Sequence, residues 1–162
     1  MRPVSERIAL VLFDRLQELA AQLDPTNTVV SEVVRPTRYA TYTPQHNQIV
    51  IVQESPEIDA QLSHAGNPPS VAWRQRFKVH CHVMPSELDP TTLDSLINNF
   101  VADVVVAICQ PASSWHTFGN LAINAMIEGP QIIEASGGVA GMTVPVLVVY
   151  RTSELSPYEM RA

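Results

Sequence analysis

From Val71 to Val83 the chain alternates between apolar and polar side chains with almost no interruption. Val71, Trp73, Phe77, Val79, Cys81 and Val83 fall on one side, and Arg74, Arg76, Lys78, His80 and His82 on the other. Successive residues of an extended chain point to opposite faces, so this period of two predicts a long strand with one buried and one polar face, as in an antiparallel sheet. Gln75 is the one polar residue on the apolar side. A strand of this kind constrains the rest of the chain, which must supply a cover for the apolar face and neighbours for both strand edges.

Two segments can supply the cover. Residues 5–23 place Ile8, Leu12, Leu16, Leu19 and Leu23 at helical spacing, with Ser5 as an N-cap and Asp24-Pro25 as a stop. Asp89-Pro90 opens a second helix, an acid at the cap followed by proline at the first helical position. Its apolar residues, Leu93 through Ile108, cover more than one stripe, which predicts the more buried of the two helices. The neighbours come from Val29–Val34, Ile49–Val52, Leu121–Ile127, Ile132-Ile133 and the closing run Thr143–Arg151. In the last of these, Pro145 restricts ladder pairing. Residues 54–70 hold three acids, three prolines and a glycine without a sustained period, and read as a long loop of the kind that is usually functional. The order predicts one α+β domain over residues 1–162, with a mainly antiparallel sheet of about five or six strands and both helices on one face. Residues 153–162 read as a short C-terminal tail.

At 162 residues and 46% apolar composition the chain can bury a core without staples. Cys81 and Cys109 lie in apolar stretches and read as buried thiols rather than a disulfide, which suits a reducing, cytoplasm-like compartment. No run of 18 apolar residues predicts a membrane helix. Sixteen acids against ten bases, a net charge near −6, argue against a dedicated nucleic-acid binder. Lys78 is the only lysine; the other basic residues are arginine, the cation favoured in protein interfaces.

Chemistry is hard to find in the sequence. His80 and His82 share a strand face about 7 Å apart. A metal would need a third ligand from His46, His64 or His116, because Cys81 points the other way. Neither cysteine has the electropositive, partly exposed setting of a nucleophile. Gly137-Gly138-Val139-Ala140-Gly141 precedes a strand and so lacks the helix N-terminus of a phosphate cradle. Glu54, Glu57 and Asp59 read as a solvated acidic loop rather than paired catalytic carboxylates. No catalytic group, cofactor or metal is therefore expected. The row Arg74, Arg76, Lys78, His80, His82, together with Glu54, Glu57 and Asp59, is the candidate subunit interface, its cations meeting the carboxylates of a neighbour.

The layout of a helix beginning Ser5-Glu6-Arg7-Ile8, then strands, a Pro-opened helix, and a closing strand with Tyr150-Arg151-Thr152 followed by Ser156-Pro157-Tyr158 resembles the tail terminator (tail-completion, minor tail) proteins of long-tailed bacteriophages. The likeness covers almost the whole chain, except that residues 54–70 exceed the short hairpin of that pattern. It implies a non-enzymatic virion protein, assembled in the host cytoplasm. Such proteins form a homo-oligomeric ring, typically a hexamer, on the head-proximal end of the tail tube. The ring ends tube polymerisation and meets a neck or head-completion protein. Genome DNA would pass through the lumen without specific binding, which favours acidic lining residues such as Glu54, Glu57, Asp59 and Glu128. Alternatives are another head–tail connector or tube protein, or a small ligand-binding protein or enzyme with a pocket near Trp73, Trp115 and His116.

Overall fold

The computed structural model describes residues 2–22, 29–36, 42–65, 69–84, 90–136 and 138–160. Its order is α1 (Val4–Ala21), β1 (Glu32–Val34), β2 (Gln48–Gln53), β3 (Glu57–His64), β4 (Ser70–Val83), α2 (Pro90–Ile108), a 3-10 turn at Trp115–Thr117, β5 (Asn124–Ile127), β6 (Gln131–Ser136), β7 (Val139–Ser153) and β8 (Ser156–Met160). The alternating run is β4, and its pairing with β7 over fourteen residue positions, from Ser70↔Ser153 to Val83↔Ala140, forms the spine of the sheet.

Shorter strands flank this spine end to end. On the free side of β4, β2 pairs with Phe77–His82 and β3 with Ser70–Arg74. On the free side of β7, β6 pairs near Thr143, β5 spans Val146–Val149, and β8 pairs with Thr152 and Ser153. Pro145 sits at the change from β6 to β5. Its carbonyl accepts the Glu128 N–H, so the side of the strand that lacks an N–H faces this interruption and not β4. β1 lies outside β2 and is parallel to it. The architecture is thus α+β as expected, but the sheet has eight strands and is mixed.

Both helices pack on one face of the sheet. Val4, Ile8, Leu12 and Leu16 of α1 and Phe100, Val104 and Ile108 of α2 close over Ile49, Ile51, Phe77, Val79, Cys81, Val144, Val146 and Val148. α1 is the more buried helix, the reverse of the expectation: α2 has surplus apolar residues and leaves Val106 exposed. Ser5 is not the cap. Pro3 holds that position without a side-chain bond, and Ser5 lies in the first turn against the Tyr150 hydroxyl. Asp24-Pro25, Asp89 and Gly137 fall outside the described residues.

Two segments read as irregular are strands. Within 54–70, β3 pairs with β4, and the span 153–162 contains β8, turned back on β7 at Glu154-Leu155. β3 hides from simple pattern reading because it is bulged. The Asp59 carboxylate accepts the Gln61 and Leu62 N–H groups, and the Ser63 hydroxyl bridges the Asp59 carbonyl and the Ala72 N–H. Side chain thus replaces ladder where the register shifts between Asp59 and His64.

Candidate functional site

The sheet face turned away from the helices carries the polar row of β4. It draws its acids from the strands on either side. Glu57 and Asp59 arrive on β3 opposite Arg74 and Ala72, Glu54 stands just past the end of β2, and Glu128 just past the end of β5. The Asp59 carboxylate, almost fully buried, takes the Arg74 Nε at 2.8 Å. Glu54 accepts Lys78 at 2.6 Å and faces Arg76 at 3.6 Å, while Glu128 holds Arg76 through Nε at 3.0 Å and Nη2 at 3.2 Å.

The cations of this row therefore meet carboxylates of their own chain. Arg74, Arg76 and Lys78, expected to meet the acids of a neighbour, and Asp59, Glu54 and Glu128, expected to line a lumen, are thus paired with one another within the chain. The Lys78 ammonium holds the Glu54 carboxyl below its usual range, against a smaller opposing effect of burial. Burial would raise Asp59, but the Leu62 N–H and the Arg74 guanidinium outweigh it and lower the carboxyl. Glu57 is exposed beside Arg74.

At the other end of the row the charges give way to imidazoles. The His80 and His82 rings stack with centroids 5.8 Å apart, and the Tyr42 ring lies 6.0 Å from His82. His80 Nδ1 and the Thr143 hydroxyl are 2.8 Å apart. His82 is 5% exposed, and neither of its nitrogens has a hydrogen-bond partner. Desolvation, then the neighbouring His82 and Lys78, push His80 down to about 4, and desolvation lowers His82. His46 reaches this corner, where its Nδ1 accepts the Met84 N–H. Among the described residues no three ligands converge to hold a metal ion.

Cys81 is sealed in the core, and burial raises its thiol to about 12; burial also raises Cys109. Neither thiol is set up as a nucleophile. Among the described residues, the grooves beside α1 and α2 are lined by residues such as Arg15, Glu18, Gln110, Asp94 and Ile97, and not by Trp73, Trp115 or His116. Trp73 donates its indole N–H to Thr152 Oγ1, and Trp115 packs edge-on against His116 at 5.1 Å. In the closing segment, Tyr150 is buried beside Ser5, Arg151 bonds the Leu62 carbonyl, and Pro157 and Tyr158 lie exposed on β8.

Two further features matter, and the first of them escaped sequence reasoning. Gln75 ends a polar chain: Arg35 holds Glu6 by two bonds and donates to Gln53, and Gln53 donates to Gln75, whose amide reaches the Glu54 carbonyl. The chain crosses the gap between β2 and β3, where β4 is paired with β7 alone. The second is the state of the sheet edges. Among the described residues β3 pairs only with β4, and β5, β6 and β8 pair only with β7. No further strand among the described residues lies on their outer sides. Of the nine large apolar residues left exposed among the described residues, seven lie on these strands or beside them: Ile58 and Leu62 on one edge, and Ile123, Met126, Ile132, Leu155 and Tyr158 on the other. Period-two alternation of Ile58, Ala60 and Leu62 was the available sequence signal for the first edge.

No protein-family model matches this chain, and no curated protein matches it significantly.

Proposed function

We propose that this chain is a structural subunit of the tail terminator kind, which closes with its own copies into a ring on the head-proximal end of a phage tail tube, stops tube growth and joins the tail to the neck. The observation that carries the reading is the pair of unlike open edges on opposite sides of one sheet. Among the described residues each edge lacks a further strand on its outer side and carries exposed apolar side chains. A foreign partner on one edge leaves the other bare. A second copy set edge to opposite edge covers one of each kind, and repetition of that contact closes a ring when the rotation allows. The absence of lysine on both edges fits, since edge lysines are a common device against such pairing.

The sheet face supports the reading in a second way. With Arg74, Arg76 and Lys78 neutralised by Asp59, Glu54 and Glu128, it presents no bare cationic strip for a polyanion. A ring of such subunits lets DNA pass without adhering, whether six copies or another number close it. No helix among the described residues is long and apolar enough to cross a membrane.

The experiment is assembly. Purified protein is weighed by light scattering, then added to polymerising tube protein, and tube length is read by electron microscopy. Rings, and short tubes capped at one end, are expected. A monomer at every concentration, with tube growth unaffected, overturns the proposal.

A further inference from the structure

The histidine corner of the sheet face has a donor–acceptor arrangement that holds in only one protonation state. Residues 42–47 enter β2 by folding over this corner. The Gln45 N–H donates to Gln48 Oε1 at 3.1 Å, the Ser31 hydroxyl to the His46 carbonyl at 2.6 Å, and the Met84 N–H to His46 Nδ1 at 3.2 Å. A backbone N–H can only donate, so His46 Nδ1 must carry no proton for the last bond to exist. Beneath the turn, Tyr42 lies over His82, and His82 lies over His80.

We propose that residues 42–47 form an acid-released clasp: neutral His46, His80 and His82 hold the turn closed on the sheet, and protonation opens it, uncovering the corner around Val50, His80 and His82.

Protonated His46 would point an N–H at the Met84 N–H, turning an attraction into a repulsion. Protonated His82 would be a buried cation without an acceptor among the described residues. Its strand neighbours are Gln48 on β2 and Gly141 on β7, and those of His80 are Val50 and Thr143; none is an anion. The charged groups near the cluster do not help. Lys78 is a like charge, Glu54 is occupied by Lys78 and Arg76, and Glu32 reaches the cluster only through its bond from Gln48. Tyr42 is neutral, and burial raises its phenol further. Among the described residues no anion is left to partner the imidazolium ions, and departure of the turn is what opens His82 to water. The helix side is untouched, since His80, His82 and Val50 take no part in the core beneath α1 and α2. Opening is thus local.

Hydrogen exchange of the full chain, read by mass spectrometry and corrected for the pH dependence of intrinsic rates, tests the clasp between about pH 7.5 and about pH 5. Amides of residues 45–50 and Met84 should lose protection by about tenfold or more on acidification, while those of residues 144–150 keep theirs. His46→Asn supplies an acceptor that does not titrate, and His82→Phe replaces the buried imidazole by a ring that does not titrate; each should blunt the acid step, and the pair should abolish it. His46→Asn alters a surface turn and is the variant least exposed to folding defects. Three results overturn the proposal: no local loss in the parent, a loss that coincides with that of residues 144–150, or an acid step unchanged in His46→Asn and in the pair.

Discussion

Gly141 marks the tightest approach of the two long strands. A Cβ there would stand 1.9 Å from the Cys81 carbonyl oxygen, a backbone atom that cannot swing aside as a side-chain tip can. Gly141→Ala should therefore push β7 away from β4 beside His82, costing about 1–3 kcal/mol as overpacking does, read as a lower urea midpoint; an unchanged midpoint would mean that the spine yields at no cost. The histidines give the residue scale its pH dependence. An imidazole held below its ordinary value of 6.5, as His80 is at about 4, binds fewer protons in the folded than in the unfolded chain between those limits. Its contribution is complete above the unfolded value and is lost as pH falls toward the folded one. The lowered carboxyls of Glu6, Glu54 and Asp59 act further down: their contribution is present above the ordinary carboxylate range and lost as pH falls through their lowered folded values. Urea midpoints measured down the acid side should decline first in the histidine range and again below the carboxylate range. His80→Asn should flatten the first decline and leave the second.

Among the elements, α1 and α2 are tied by a contact that no periodicity reveals. Arg15 is 9% exposed, donates from Nη1 to the Ile108 carbonyl at 2.8 Å and lies over the Phe118 ring at 4.7 Å. A cation at the C-terminal end of a helix offsets the partial negative charge of the unpaired carbonyls there, which is how α2 tolerates ending in the core without a basic residue of its own. Arg15→Met keeps much of the packing and removes the donor. It should cost about 1.5–3 kcal/mol, the range for hydrogen bonds to charged groups, and thermal unfolding is the readout; a neutral outcome would show that water replaces the guanidinium. In the sequence Arg15 is one more polar residue between apolar ones, and only its distance in the fold from Ile108 gives it a role. The same holds for the polar row. The alternation of β4 and the helical stripe of α1 were legible because each is a local period. That Arg74 would meet Asp59, and Arg76 Glu128, was not legible, because those pairings depend on which strand lies beside β4 and on a bulge at Asp59. β3 itself was concealed by Pro56, Pro68 and Pro69 at its ends, and by Ile58 and Leu62 facing solvent, so its apolar side could not be recognised as a core side. Short β8 and three-residue β1 owe their strand state to the partners that receive them.

For the whole molecule the question is which surfaces are left unsatisfied, and they are the two rims of the sheet. Ile58 is 63% exposed on β3 and Ile132 77% exposed on β6. If copies associate rim to opposite rim, a charged residue on either rim should abolish self-association without unfolding the domain, since these side chains are exposed and are not among the buried core residues. Ile58→Lys with Leu62→Lys breaks one rim; Met126→Lys with Ile132→Lys breaks the other. Alone, each variant should run as a folded monomer, because every contact would need its broken rim. Mixed, they should form a heterodimer and stop there, since one intact rim of each kind remains. A symmetric contact of like rims behaves otherwise: one variant would then assemble as the parent does, and the mixture would add nothing. Salt supplies a second sign. The chain is acidic at a net charge of −6, so copies repel and apolar rims should associate more strongly as salt screens them. Contacts built on Arg74, Arg76 and Lys78 with a neighbour's acids would weaken in salt instead, and sedimentation of the parent across a salt series tells the two apart.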